Sequence, residues 1–136
     1  MSDPRPRSES GRPIVRASSE LDEIPAQQTH GIRRRQAFAG DDRWIGHVET
    51  EPGEWSGWHH HGATDTYLYV LDGGLEFEFG SEGELVSVGQ GDFAHVPAGV
   101  VHRERTTPGR PGEIVLVRIG TGPAVVNVEE PPTATR

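Results

Sequence analysis

An all-β domain, an antiparallel sandwich or barrel, is the fold class that this sequence predicts. Three observations carry the expectation. Short segments rich in Val, Ile, Tyr and Phe recur along the chain, several with two-residue alternation. Glycine and proline, 18 and 11 of the 136 residues, fall between those segments as turn punctuation. No stretch sustains a helical period long enough to form the crossovers that parallel strands need.

Taken in order, the chain opens on Pro, Ser and Arg with too little apolar surface to order itself. Residues 1–13 therefore read as a tail ahead of a single domain spanning 14–128. SSELDEIP has the one helical look, and Pro25 would stop it after about two turns. The run Arg33-Arg34-Arg35 reads as a solvated charged surface. WIGHVET, DTYLYVL, LEFEFG, LVSVG, DFAHVP and EIVLVRIG then read as strands. Asp72-Gly73-Gly74 signals a hairpin between the second and third of these, and Ser81-Glu82-Gly83-Glu84 marks the next turn. The closing EEPPTATR, residues 129–136, reads as a second tail.

Composition narrows the chemistry. A chain of 136 residues has room for one domain with a real core and no second cofactor domain. Its net charge of −8 is concentrated past residue 40, where six Arg face sixteen acids, against seven Arg and five acids before it. Such a surface repels phosphate, so neither nucleic acid nor an anionic membrane is the expected partner. No apolar run approaches the ~20 residues of a membrane span, and the polar opening lacks the layout of a secretory signal, so the expected location is the cytoplasm. With no cysteine, disulfides and thiolate ligands are excluded. All 13 basic residues are arginine, which excludes Schiff-base chemistry and a lysine-bearing phosphate loop. Histidine, carboxylate, hydroxyl and arginine chemistry remain.

Histidine is the conspicuous resource. Three of seven stand together at 59–61, directly ahead of the strand DTYLYVL. In an extended chain His59 and His61 share a face, about 6–7 Å apart, while His60 points away. A third ligand must come from elsewhere, and His102 opens the strand after the turn Pro97-Ala98-Gly99. By the same alternation Glu104 shares the face of His102, as a proton carrier beside an ion or as a partner of Arg103, Arg105 or Arg118. Trp55 and Gly57 fall inward by stepping back from His59, with Trp55 read as core, and Trp58 falls outward. Leu68 and Val70 fall inside, with Tyr67 and Tyr69 opposite. His95 reads as a hydrogen-bonded structural residue, and His30 and His47 show no spacing to the cluster.

These residues resemble the two motifs of the cupin superfamily. The first runs from a Gly through five residues to H-x-H and on to a closing Gly, matched by Gly53, His59, His61 and Gly73. The second runs from a Gly through five residues to P-x-G, then two residues to a His, matched by Gly91, Pro97, Gly99 and His102. The resemblance implies a small two-sheet β-barrel of the jelly-roll, or double-stranded β-helix, type, commonly a homodimer with metal inside. There are two departures. The family's liganding Glu is replaced by Thr66, with Asp65 one residue earlier, and the second motif's Asn is replaced by Thr106. Strict alternation would turn Asp65 away from the metal and leave it as an outer partner, whereas a bulge at the strand's start would turn it inward.

The expected site is therefore His59, His61 and His102 around one divalent transition metal, with Fe, Mn, Ni, Zn and Cu all acceptable to imidazole. Water or substrate completes the coordination, and Glu104 moves protons. Three neutral ligands leave the ion strongly Lewis acidic. By resemblance to three-histidine cupins, the expected reaction is dioxygenase-type chemistry on a small oxygen-bearing molecule. A non-redox cyclase, lyase or isomerase, or a non-catalytic ligand-binding barrel, is the alternative.

Overall fold

The computed structural model describes residues 11–106 and 109–132. Most of the expected first tail and the last four residues of the second lie outside the described residues. Eleven strands are present among them: β1 (Asp22–Glu23), β2 (Ile32–Gly40), β3 (Arg43–Thr50), β4 (His59–His60), β5 (Asp65–Asp72), β6 (Leu75–Phe79), β7 (Glu84–Val88), β8 (Phe93–Val96), β9 (His102–Thr106), β10 (Gly112–Ile119) and β11 (Val126–Asn127). They form a six-stranded sheet, β1-β2-β3-β10-β5-β8, and a five-stranded sheet, β11-β4-β9-β6-β7. Every pairing is antiparallel.

The alternation read from the sequence places the core. In β5, Thr66, Leu68 and Val70 are buried while Tyr67 and Tyr69 are exposed, and in β10 Ile114, Leu116 and Arg118 are buried. Val48, Val70 and Ile114 join Phe77 and Leu75 from the second sheet in one apolar cluster between the layers. Each such aliphatic side chain contributes about 1.5–3 kcal/mol on burial. Among the described residues no helix is long and apolar enough to cross a membrane.

Three expectations are corrected. SSELDEIP forms no two-turn helix: Ser18–Glu20 is a single 3₁₀ turn, and Pro25 begins a second one, Pro25–Gln27, instead of ending the first. So short a segment cannot nucleate an α-helix, and proline's fixed φ suits a first helical position. Asp72-Gly73-Gly74 is a turn but closes no hairpin, since β5 pairs with β10 and β8 while β6 pairs with β7 and β9. Both strands turn an apolar face to the same core, so they lie in opposite layers and the turn carries the chain across. Gly73 takes φ +74° there, and a Cβ would sit 2.7 Å from the Pro111 carbonyl oxygen. The turn at Ser81–Glu84, by contrast, does join the β6–β7 hairpin. Finally, Arg33-Arg34-Arg35 is not a uniformly solvated run but the start of β2, with Arg34 turned inward and only 1% exposed.

Candidate metal centre

His59 and His102 are direct cross-strand neighbours, His59 on β4 and His102 at the start of β9. His61 reaches the same spot by another route. β4 ends at His60, and His61 begins a turn in which Thr64 donates to the His61 carbonyl through its backbone N–H (3.0 Å) and its hydroxyl (2.6 Å). Gly62 allows the turn, taking φ +59° where a Cβ would lie 2.4 Å from the Pro123 carbonyl oxygen. The shared face foreseen from strand alternation is thus realised, but by a turn.

The rings of His59 and His102 are 4.3 Å apart, and those of His61 lie 5.3 and 5.2 Å from them. One ligand atom from each lies within 4.8 Å of the others. Each Nδ1 is 2.9 Å from a backbone carbonyl: Gly57 for His59, Ala124 for His61 and Val100 for His102. A carbonyl only accepts, so each Nδ1 carries the proton and each Nε2 keeps its lone pair. His59 Nε2 is buried with no hydrogen-bond partner among the described residues. Three oriented, buried, unprotonated nitrogens are the donor set that a divalent transition metal takes, with the carbonyls as the outer support.

Burial keeps these imidazoles neutral. His59 is pushed well below the ordinary histidine range by desolvation first, then by His102, Arg34 and His61. Desolvation, with His102, Arg118 and Arg34, takes His61 down to about 2. His102 falls to about 4, chiefly by desolvation, although its bond to Val100 opposes the shift. Glu104 is affected in the opposite sense, since burial raises its pKa while Arg34 and the Thr50 hydroxyl pull it down.

Glu104 stands beside the trio as alternation foresaw. Its Oε1 is 3.9 Å from His59 Nε2 and 4.0 Å from His102 Nε2, and its Oε2 accepts from the Thr50 hydroxyl at 3.1 Å. Ser56 holds the backbone at that point, accepting from the Glu104 N–H at 3.0 Å and donating its own N–H to the Glu104 carbonyl at 2.8 Å. The suggested arginine partners are engaged elsewhere or unpaired with it: Arg103 bonds Glu78 and Arg105 bonds Glu76. Thr66 faces inward, buried, with an unpartnered hydroxyl. Asp65 faces out and accepts from His95 (3.0 Å) and the Ala98 N–H (3.2 Å), so it is no partner of the trio. No bulge turns it inward.

His95 is the hydrogen-bonded residue foreseen, stacked on Tyr67 at 4.5 Å. His47 bonds Glu113 and Arg35, His30 pairs with Glu54, and His60 accepts from the Gly62 N–H. Trp55 belongs neither to the core nor to the pocket: Arg103 and Arg105 cover its half-buried ring, because β4 is too short for alternation to extend back to it. Sequence reasoning did not foresee that two arginines are buried in the interior. Arg34 is buried and donates Nη1 to the Gln27 carbonyl (2.8 Å) and the Thr29 hydroxyl (2.7 Å), while Arg118 is buried under the Trp44 ring. The signal was available, since Ile32, Arg34 and Gln36 alternate in one segment and Ile114, Leu116 and Arg118 in the other.

The Cupin_2 family model, cupin domain, matches residues 46–118. Among solved structures, the chain is similar to an uncharacterized conserved protein with a double-stranded β-helix domain from Klebsiella pneumoniae subsp. pneumoniae MGH 78578. That likeness has 18% identity and TM-score 0.66, over 88% of this chain and 100% of the other. It is also similar to the polyketide cyclase RemF from Streptomyces resistomycificus, at 20% identity and TM-score 0.69 over 86% of each chain. A third likeness is to Pac13, a nucleoside dehydratase, at 17% identity and TM-score 0.68 over 89% of this chain and 95% of the other. At these identities the structural likenesses speak for the fold alone. No curated protein matches the chain. The family match covers more than half of the sequence and contains both histidine motifs, and on it this chain belongs to the cupin family.

Proposed function

We propose that this chain is a metal-dependent enzyme that moves a proton on a small oxygen-bearing molecule, in the manner of a cyclase, lyase or isomerase. The observation that carries the reading is Glu104, a buried carboxyl held within 3.9–4.0 Å of two of the three convergent imidazoles. His59, His61 and His102 would hold the ion, which when bound supplies Lewis acidity toward a substrate oxygen. Burial raises the pKa of Glu104 above the ordinary carboxylate value, which suits it to give or take a proton, and Thr50 and Ser56 hold it in place. The names of two solved neighbours, a cyclase and a dehydratase, support the class. Dioxygenase chemistry, expected first from the sequence, is the second reading, favoured by an all-imidazole donor set open to redox-active iron or copper.

The test begins with elemental analysis of untagged protein and its His59→Ala and His102→Ala variants. About one metal per chain, lost in both variants, is expected. Turnover of a panel of hydroxy and keto compounds is then followed by NMR beside an oxygen electrode. Product without oxygen uptake, falling roughly 10²–10⁴-fold in Glu104→Gln, is the expected result. Oxygen consumed in step with product would move the assignment to the second reading, and metal-free protein would overturn both.

The homodimer belongs to the same proposal. The outer face of the six-stranded sheet carries adjoining exposed apolar residues, Phe93 at 78%, Tyr67 at 45%, Phe38 at 42%, and Tyr69 and Ile45 at 36% each, which supports a second copy packing there. Light scattering should give twice the chain mass for the native protein and the single-chain mass for Phe93→Arg.

A further inference from the structure

We propose that Arg118 is an anchor for a substrate carboxylate, so that this site takes small organic acids. The inference deepens the function proposed above and rests on its reading of the barrel interior as the reacting site.

Arg118 lies on the inward face of β10, 1% exposed, and its Nε, Nη1 and Nη2 are buried with no hydrogen-bond partner among the described residues. The Trp44 ring lies 4.5 Å from its guanidinium carbon, and the Arg118 charge is felt at His61. A guanidinium carries five N–H donors in a planar fork, and burying them unmet is costly. Other arginines around the barrel are committed: Arg34 to Gln27 and Thr29, Arg103 to Glu78, Arg105 to Glu76. Thr66, the cross-strand partner of Arg118, adds a second orphan, a buried hydroxyl with nothing to bond.

The space around these orphans shows what could meet them. Between Arg34, His61, Thr66, His102 and Glu104 there is about 10 Å³, room for an object of roughly one water's size. A separate groove of about 370 Å³ is lined by Arg118, Trp44, Thr64, Gln36 and Ala124, and Thr66, which lines the small cavity, is the cross-strand partner of Arg118. Thr64 and Ala124 are the residues hydrogen-bonded to His61, so this groove runs against the back of the histidine cluster. A substrate's body fits the groove and only its polar head reaches Arg118. Charge selects the head. Among the described residues the interior holds two buried guanidiniums, Arg34 and Arg118, and one buried carboxyl, Glu104, and a divalent ion would enlarge the excess. A carboxylate is planar, anionic and two-pronged, and matches the free edge of the fork, while the Thr66 hydroxyl can donate a further bond.

Malonate and its neutral counterpart malonamide are the probes, titrated calorimetrically at constant ionic strength into the full chain, both metal-loaded and stripped by chelator. Wild type and Arg33→Gln, an exposed control, should bind malonate and not malonamide, and Arg118→Gln should bind malonate at least tenfold more weakly. That difference should survive stripping, because Arg118 does not act through the ion. Malonate binding no better than malonamide in the wild type, or equally tight malonate binding in Arg118→Gln, would overturn the anchor; the wild-type comparison decides even if the variant fails to fold. Metal held by the histidines with malonate indifferent to Arg118 removes the anchor and leaves the proposed function standing. Arg118-dependent malonate binding in protein that takes no metal supports the anchor and removes the metal-dependent function instead.

Discussion

Acid should unfold the metal-free protein through its histidine cluster, by an amount the structure sets. In the folded chain His59, His61 and His102 are all held below the ordinary value of 6.5, with His102 at about 4. In the unfolded chain each returns to about 6.5 and takes up a proton as the pH falls past that value. The unfolded state then binds more protons than the folded one, so the stability present above pH 6.5 is lost as the pH drops. Between pH 7.5 and 5.5 each histidine costs about 1.4 kcal/mol, and the three together about 4 kcal/mol. Glu104 works against them. Its pKa is raised in the fold, so it returns stability as the pH falls, by at most ~1.4 kcal/mol per pH unit. The net loss over the window is therefore about 1.4 to 4 kcal/mol. Urea denaturation of chelator-treated protein reads it directly: at a slope of ~2 kcal/mol/M the midpoint falls by about 0.7–2 M. Glu104→Gln removes the opposing group and should move the loss to the upper end. A midpoint that stays level or rises between pH 7.5 and 5.5 would mean that the three imidazoles are not buried neutral together, and the site geometry would be wrong.

Three further outcomes follow from packing. Ile114, 1% exposed between the sheets, should cost about 2–5 kcal/mol when cut to Ala, whereas Leu85→Ala at a 51% exposed position should change stability by less than ~0.5 kcal/mol, both read by chemical denaturation. Thr66→Val removes a buried hydroxyl with no partner, so in ligand-free protein it should leave stability unchanged or raise it by up to about 1 kcal/mol; a loss of that size would show that the hydroxyl is bonded. Gly62→Ala places a Cβ against the Pro123 carbonyl and forces open the turn that delivers His61. It should destabilise by more than ~1 kcal/mol and weaken metal binding, measured by competition with a chromogenic chelator, while Gly80→Ala, where a Cβ meets nothing within 4 Å, should leave metal binding intact.

Local pattern carried a large part of this protein into view. Two-residue alternation in DTYLYVL placed Leu68 and Val70 inside, because a side chain's face in a strand depends on nothing beyond that strand. The same rule, with two spaced motifs, brought together His59, His61, His102 and Glu104, which the fold holds side by side. Where the rule was pushed past a strand's end it failed: β4 is only two residues long, so Trp55 lies under arginines outside the pocket and His61 arrives by a turn. The turn at Asp72-Gly73-Gly74 was legible as a turn, but whether it joins partners in one sheet or crosses between two depends on where both apolar faces are buried. The charge of the interior was the least legible part. Arg34 read as part of a solvated run and Arg118 only as a candidate salt-bridge partner of Glu104, since a guanidinium is ordinarily solvated. The sequence by itself left β1, β2 and β11 unread and determined strands β3 and β5 to β10, the inward face of β5 and the convergence of three histidines. Only the tertiary structure decided that two guanidiniums share the interior with them, because burial is a property of how the sheets close over a residue, and no local period records it.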